Sequence, residues 1–367
     1  DDVHDGKGGH PSAPVLAAGL AMAERTGKTT GKDFITAFVL GQDLFTRMTV
    51  AFRPMKVGFQ GALTFGVFTT TLTCGKLLGL DAERLFNGLG IAACKTGGPV
   101  ELITNEGSEL RGMYNSFAAR DGVLSALMAE RGIGGIRHLF EGEKGFLRLY
   151  YNEYNREAIL GDLGKSFAAA EISYKPWPCC REAHPHIEAT LNLIRAHNVN
   201  PDDIESIRVF VGDFSSKLCE PLAARQRPAT TMDAKFSLPF TIGVAIARRK
   251  IGVDDFTPEG IKNPQALRFA RLVTPVLDPE FNNPPVGLPG GQVEMRTRKG
   301  QIWSERVDFA YGHPRNPIDW EHLIEKFMDC AAHSAKRLPE TRLRQVIEMV
   351  RNLDQVDRMD DIARLLG

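Results

Sequence analysis

Gly61-Ala62-Leu63-Thr64-Phe65-Gly66-Val67-Phe68-Thr69-Thr70-Thr71-Leu72-Thr73-Cys74-Gly75-Lys76-Leu77-Leu78 is the stretch on which the fold turns. It is apolar nearly all round and does not alternate, which predicts a buried helix, ended by Gly79. A helix buried on every side needs helical neighbours, and the flanking sequence supplies them. Pro14 to Arg25 is Ala/Leu-rich and follows Ser12, read as an N-cap with Pro11 just before it. Asp33 to Thr46 sets Phe34, Ala37, Phe38, Leu40, Gln42 and Leu44 at roughly helical spacing. Asp81-Ala82-Glu83-Arg84 opens a further helix with an acid in its first turn, carried on by Leu85 to Cys94. Asn115 to Arg131 is Ala-rich and closed by Gly132. This predicts a helical bundle with Gly-rich joints rather than an alternating βαβ chain.

The pattern changes near Phe167. Ser173 to Cys180 contains Pro176 and Pro178 and reads as an extended loop. Ile187 to His197 reads as a helix, and Lys235 to Arg249 as another. Ile204, Ile207, Val209 and Val211 space a strand, and Val293 to Thr297 with Glu305 to Phe309 form a hairpin across Lys299-Gly300. From Asp319 the chain is helical again, with Trp320, Leu323, Phe327 and Cys330 on one stripe. The expected division is a mostly α-helical domain from 1–166 and 318–367, with a smaller α+β domain at 167–317 holding all the strands.

Length and composition agree with this division and narrow the function. At 367 residues, two domains are the natural count. Hydrophobic residues at 43% and charged residues at 25% exclude a disordered or fibrous chain. Lys+Arg and Asp+Glu balance at 45 each, so no global field attracts nucleic acid or anionic lipid. Any anion site must be a local cluster of cations. No apolar stretch reaches membrane-spanning length. Six cysteines in so long a chain are not a disulfide framework, and their usage points to reducing cytoplasm. The chain opens on Asp1-Asp2 without a signal peptide or an initiator Met, so a segment upstream is expected.

Three polar clusters can carry chemistry. The first is Asp1-Asp2-Val3-His4-Asp5-Gly6-Lys7-Gly8-Gly9-His10-Pro11-Ser12, where a carboxylate can fix a histidine tautomer for acid–base work. The same residues also suit a frayed terminus with His10 capping a helix. The second is Tyr174 to His186, with Lys175 and Arg181 placed to bind a carboxylate beside a helix start. Cys179, Cys180, His184 and His186 invite zinc, but the spacing is not a paired CxxC pattern, so no metal is expected. A solvated loop with a buried Cys is the plain alternative. The third is Glu109 to Asn115, where Arg111 suits an anion or a surface pair with Glu109, next to Tyr114. Gln60 can donate to a ligand or simply cap the buried helix. No Walker, GxSxG, HExxH or post-strand GxGxxG motif is present.

Read together, ordered motifs carry a resemblance. They are Asp-Asp-x-His…His-Pro-Ser at 1–12, Gly-Phe-Gln at 58–60, Leu-Leu-Gly-Leu-Asp at 77–81 and Ala-Ala-Arg-Asp-Gly at 118–122. They continue with Lys-Pro-Trp-Pro-Cys-Cys at 175–180, Lys-Phe-Ser-Leu-Pro-Phe at 235–240, Gly-His-Pro-Arg-Asn-Pro at 312–317 and Glu-Lys-Phe at 325–327. Spanning nearly the whole chain, they resemble the MmgE/PrpD family, which includes 2-methylcitrate dehydratase, cis-aconitate decarboxylase and iminodisuccinate epimerase. The resemblance implies a helical domain built from both chain ends, a smaller α+β lid, usually a homodimer, and a cleft for small di- or tricarboxylates with no metal or organic cofactor.

It also implies roles. Asp1, Asp2 and His10 correspond to the polar wall of the first domain, and Lys175 to the lid-loop cation. Arg111 stands where decarboxylase-like members carry Lys, Cys180 where they carry His, and Gln60 where many members carry His. Gln transfers no proton at neutral pH, and Arg clamps a carboxylate without acting as a base, so proton transfer falls on His10. The expected catalytic set is His10, Asp1, Asp2 and Lys175. The expected substrate-binding set is Arg111, Gln60, Tyr114, Cys180, Arg181 and Lys235. The expected activity is a cofactor-independent dehydratase-type lyase on a 2-methylcitrate-like acid of propionate metabolism. It would work by proton abstraction α to a carboxylate, with developing charge met by cations. An epimerase or a non-catalytic member is the alternative.

Overall fold

The computed structural model describes residues 2–5, 9–52, 58–104, 109–282 and 288–367, with the side chains of 103, 104 and 109 left aside. By contact the chain forms two compact units, Asp1–Glu171 with Lys336–Gly367, and Ile172–Ala335.

The first unit is built around the Gly61–Leu77 helix, the one its composition singled out. Helices Ser12–Thr26, Gly31–Ala51, Ala82–Ala92 and Tyr114–Glu130 pack against it. Its threonines are buried because their hydroxyls donate back along the helix. Thr70 Oγ1 lies 2.8 Å from the Gly66 carbonyl, and Thr71 Oγ1 2.7 Å from that of Val67. Thr70 also reaches across to the Ala118 carbonyl at 2.9 Å. That approach requires Gly122, where a Cβ would stand 1.9 Å from Thr70 Oγ1. The Ala-Ala-Arg-Asp-Gly motif at 118–122 therefore serves helix packing, while Arg120 pairs with Asp121 at the surface. A second layer is aromatic, with Phe68, Phe140 and Phe146 in mutual ring contact. The buried Arg47 pairs with Asp43 at 2.6 Å and donates to the carbonyls of Gly161 and Ser166, so it pins the 161–166 chain to the Gly31–Ala51 helix.

Residues 336–367 belong to this unit. Gly31 N–H donates to the Val356 carbonyl at 2.7 Å and Met359 N–H to that of Thr29 at 2.9 Å. Gly31 leaves room for this, since a Cβ there would meet the Leu353 carbonyl.

The second unit holds a four-stranded mixed sheet in the order Val273–Leu277, Ile204–Val211, Gly291–Thr297, Ile302–Val307. The first pair is parallel and the other two are antiparallel. Ile207, Val209, Val211, Val293 and Met295 bury one face, against which the His184–His197 helix packs. The Leu238–Arg248 helix packs on that helix in turn.

Several elements differ from expectation. Ser12 lies inside its helix rather than capping it, and the Asp2 carboxylate accepts from Ser12 N–H at 3.1 Å. The expected 235–249 helix is two pieces, Thr231–Lys235 and Leu238–Arg248. Ser237 caps the second piece, and Pro239 fits its first turn. The Val273–Leu277 strand carries Pro275, which only an edge strand tolerates and which hid it from the pattern. Strands are not confined to 167–317, because Asp2–His4 is a short strand of the first unit. The unit boundaries fall at 171/172 and 335/336 instead of 166/167 and 317/318. The shift at the C-terminal side places the Trp320–Ala332 helix with the second unit. Its Asp329 carboxylate accepts from Val253 N–H at 3.0 Å, and His333 Nε2 pairs with Asp254 at 2.7 Å. Trp320 and Cys330, the ends of the expected stripe, are exposed. Among the described residues no helix is long and apolar enough to cross a membrane.

Candidate active site

The first unit presents a polar group at its N-terminal segment. Val3 is buried, and so are Asp2, His4 and Asp5 around it. His4 N–H donates to the Gly9 carbonyl at 3.0 Å. Gly9 takes φ +105°, a conformation that glycine alone adopts without strain, and a Cβ would touch the Phe45 ring at 3.0 Å. His10 follows directly and meets Asp2. His10 Nδ1 lies 2.5 Å from the Asp2 main-chain carbonyl. A carbonyl only accepts, so Nδ1 carries the proton and Nε2 the lone pair of the neutral ring.

The Asp2 carboxylate is used differently. It accepts from the amide and the hydroxyl of Ser12, and Gln42 donates to that hydroxyl at 2.6 Å. At Nδ1 it is therefore the Asp2 main chain that meets the His10 ring. Asp1 lies outside the described residues.

The rest of the first-unit set divides. Gln60 is the N-cap of the Gly61–Leu77 helix, its side-chain oxygen accepting from Ala62 N–H at 3.4 Å, which is the capping role. Arg111 sits half-buried in the turn before the Tyr114–Glu130 helix, close enough for its charge to act on Tyr114. Burial pushes the Tyr114 phenol up, and Arg111 opposes that. A cavity of about 370 Å³ lined by Thr96, His138, Glu143, Lys144, Phe146 and Leu149 includes none of the candidate residues.

In the second unit the Tyr174–His186 segment keeps Tyr174 at the surface but buries most of its chemically active side chains. Lys175, Cys179, Arg181, Glu182, His184 and His186 are all below a tenth exposed. Cys180 N–H donates to the Lys235 carbonyl at 2.8 Å, which fastens the loop beside the Thr231–Lys235 helix. The charges of Lys175 and Lys235 act on Cys179, and those of Arg181, Lys175 and Lys326 act on His184. Four cations, Lys175, Arg181, Lys235 and Lys326, therefore surround one loop. The Glu182 carboxylate lies in the same loop and accepts from Ser215 Oγ at 2.8 Å. Such a cluster suits a multiply charged anion.

The neighbouring groups are kept neutral. Burial, with Arg181 and Lys175 beside it, holds His184 well below the usual 6.5. His186 is lowered by burial and donates Nε2–H to the Phe210 carbonyl at 2.8 Å, its ring lying against Gly291. Burial drives the Cys179 thiol far up, away from the thiolate that a metal or an electrophile would need. The pattern had shown neither Lys326 nor the buried state of His184. Lys326 stood in the quoted Glu-Lys-Phe triplet, three residues from Leu323 on its helix, and that spacing was the available signal.

Comparison with known proteins shows the family. The profile described as the MmgE/PrpD N-terminal domain matches residues 1–158, and that of the MmgE/PrpD C-terminal domain matches 177–355. The chain is 26% identical to a cis-aconitate decarboxylase of Aspergillus terreus (strain NIH 2624 / FGSC A1156), over all of this chain and 77% of that enzyme. It is 24% identical to the human cis-aconitate decarboxylase, over 97% of this chain and 74% of that one. It is also 25% identical to the cis-aconitate decarboxylase-like protein oryM of Aspergillus oryzae (strain ATCC 42149 / RIB 40), over all of this chain and 79% of that protein. With an ordered match at both ends, the chain belongs to the MmgE/PrpD family.

Proposed function

We propose that this protein is a lyase acting on a small tricarboxylic acid, with His10 as the proton-transfer group and the Lys175 loop as the carboxylate-binding element. The observation that carries the reading is the His10 Nδ1 contact to the Asp2 carbonyl, which leaves Nε2 as the basic atom. A base so oriented removes a proton α to a carboxylate. The electron pair then spreads onto that carboxylate, and a cation cluster stabilises it most as the charge develops. Loss of a β-hydroxyl as water completes a dehydration. Lys175, Arg181 and Lys235 take the carboxylates, as does Arg111 in its fixed protonated form. Cys180 and Tyr114 complete the expected substrate-binding set. Cys180 is a half-buried neighbour of the cations, and Tyr114 keeps its proton as a donor.

A second reading, decarboxylation of cis-aconitate, is favoured by the names of the relatives. It uses the same parts in another order. The carbon–carbon bond breaks, CO₂ leaves with its carboxyl oxygens, and the electron pair left on carbon takes a proton from Nε2 of His10, which must first have been protonated from solvent.

Assays on 2-methylcitrate and cis-aconitate separate the two. Dehydration is read by ultraviolet absorbance of the new alkene, and decarboxylation by trapped CO₂. Turnover of either acid supports a tricarboxylate lyase. Deuterium exchange at Cα without net change in either acid would replace it with an epimerase.

A further inference from the structure

The main chain at Lys175 is held from both sides by residues 312–326 of its own unit. Tyr174 N–H donates to the Gly312 carbonyl at 3.0 Å. Gly312 takes φ +96°, and a Cβ on it would stand 2.0 Å from the Tyr174 carbonyl oxygen, so only glycine allows this approach. On the other side the Lys326 ammonium donates to the Lys175 carbonyl at 2.5 Å. The next residue is Pro176, whose ring fixes its own φ and restricts Lys175 to extended conformations. With both neighbours constrained, the Lys175 carbonyl direction settles the remaining torsion, and with it the direction in which the Lys175 side chain leaves the loop.

The two holding elements are themselves fixed. Glu188 accepts from Tyr311 N–H at 2.6 Å and from the Asn316 side-chain amide at 2.9 Å, tying the 311–316 turn to the His184–His197 helix. The Trp320–Ala332 helix is capped by Asp319 and anchored at its far end through Asp329 and His333. The charge of Lys326 also acts on His184, as do those of Arg181 and Lys175.

We propose that Lys326 is a positioning residue: its ammonium, bonded to the Lys175 carbonyl, aims Lys175 and adds charge to the cation cluster that receives the polycarboxylate. The aiming is a property of the loop alone, while the effect on binding rests on the reading of Lys175 as a substrate cation.

The experiment uses the full chain and citrate as the probe, with Lys326→Met, Lys326→Arg and Lys175→Ala. Hydrogen exchange is followed over the 172–180 peptide without ligand, and citrate affinity is measured by calorimetry. Losing one charge-assisted hydrogen bond should speed Tyr174 amide exchange by about tenfold in Lys326→Met and weaken citrate binding by a similar factor, with Lys326→Arg within about threefold of wild type on both. Lys175→Ala should lose citrate binding while its exchange stays near wild type. Wild-type exchange in Lys326→Met overturns the inference. Wild-type citrate binding in Lys175→Ala overturns the substrate role of Lys175 instead, and the exchange result still decides the positioning. Lys326→Gln, which keeps a donor without the charge, serves if the Met variant fails to fold; its Tyr174 amide should exchange faster than wild type by less than about tenfold, and a rate equal to wild type overturns the role of the ammonium.

Discussion

His10 and Lys175 are the two side chains proposed to carry the chemistry, and they are fixed by different means. His10 is half-buried, and one main-chain carbonyl turns its ring. Lys175 is below a tenth exposed and belongs to a loop stiffened by prolines and fastened to three other segments of its unit. The difference follows from what each must do. A proton-transfer group needs a defined tautomer, which an acceptor at Nδ1 provides. A cation that must meet charge without reorganising needs a rigid surround, and a rigid surround means burial and many backbone contacts. Burial in turn keeps the neighbours of Lys175 neutral, as at His184 and Cys179.

The sharpest way to break this comparison is to remove the ring. His10→Ala should lower turnover of the tricarboxylate substrate by about 10² or more, and His10→Gln nearly as much, because shape without proton transfer does not serve. Steady-state kinetics on variants with unchanged circular dichroism check this. Near wild-type turnover in both would make His10 a structural residue.

Gly312→Ala attacks the other side. Its Cβ would collide with the Tyr174 carbonyl at a backbone angle that alanine resists, so the loop must shift. A loss of about 1–3 kcal/mol in stability is expected. Substrate KM should rise about tenfold, the factor that 1.4 kcal/mol commands, with a smaller change in kcat. A drop confined to kcat would mean that the loop does not bind the ground-state carboxylates.

How far these groups were legible in the sequence differs in the same way. The helical unit could be read because its central run, Gly61 to Leu78, is apolar without alternation, and glycines such as Gly122 mark close approaches. The motif at the N-terminus pointed to His10, but a main-chain carbonyl has no letter, so the orienting atom at Asp2 could not be read. Pro275 concealed an edge strand, and Ser12 looked like a cap while the true acceptor lay ten residues earlier. An amphipathic helix shows which face is apolar but not which body it joins, which is why Trp320–Ala332 was assigned to the wrong unit. Residue chemistry alone offered Lys175 and Arg111 as anion-binding candidates beside plainer readings, and only the ordered family motifs favoured the former.

A pH series sharpens the contrast. His184 and His186 are held neutral in the folded chain, both below the usual 6.5. Above 6.5 neither state binds their protons and stability is intact. As pH falls below 6.5, the unfolded chain takes up protons that the folded chain refuses, so stability is lost toward the lowered folded-state values. Each histidine contributes up to about 1.4 kcal/mol per pH unit in that window. Chemical denaturation between pH 7.5 and 5.5 should show the loss, and His184→Phe should show less of it. An unchanged slope in that variant would mean that His184 is protonated in the folded state.

The smallest expected effect tests whether the Asp2 carboxylate or its carbonyl governs His10. Ser12→Ala removes the hydroxyl that links Gln42 to that carboxylate but keeps the Ser12 amide bond to it. One hydrogen bond to a charged group is lost, so stability should fall by about 1–2 kcal/mol. The Asp2 carbonyl, set by the Asp2–His4 strand and the His4–Gly9 bond, should keep its place, and the ring with it. Turnover should therefore stay within about threefold of wild type, with the acidic limb of the pH–rate profile unmoved. If turnover instead fell as far as in His10→Ala, the carboxylate network would be the device that sets the imidazole. The Asp2 carbonyl would then be a bystander, and His10 would be set through side chains rather than through the main chain.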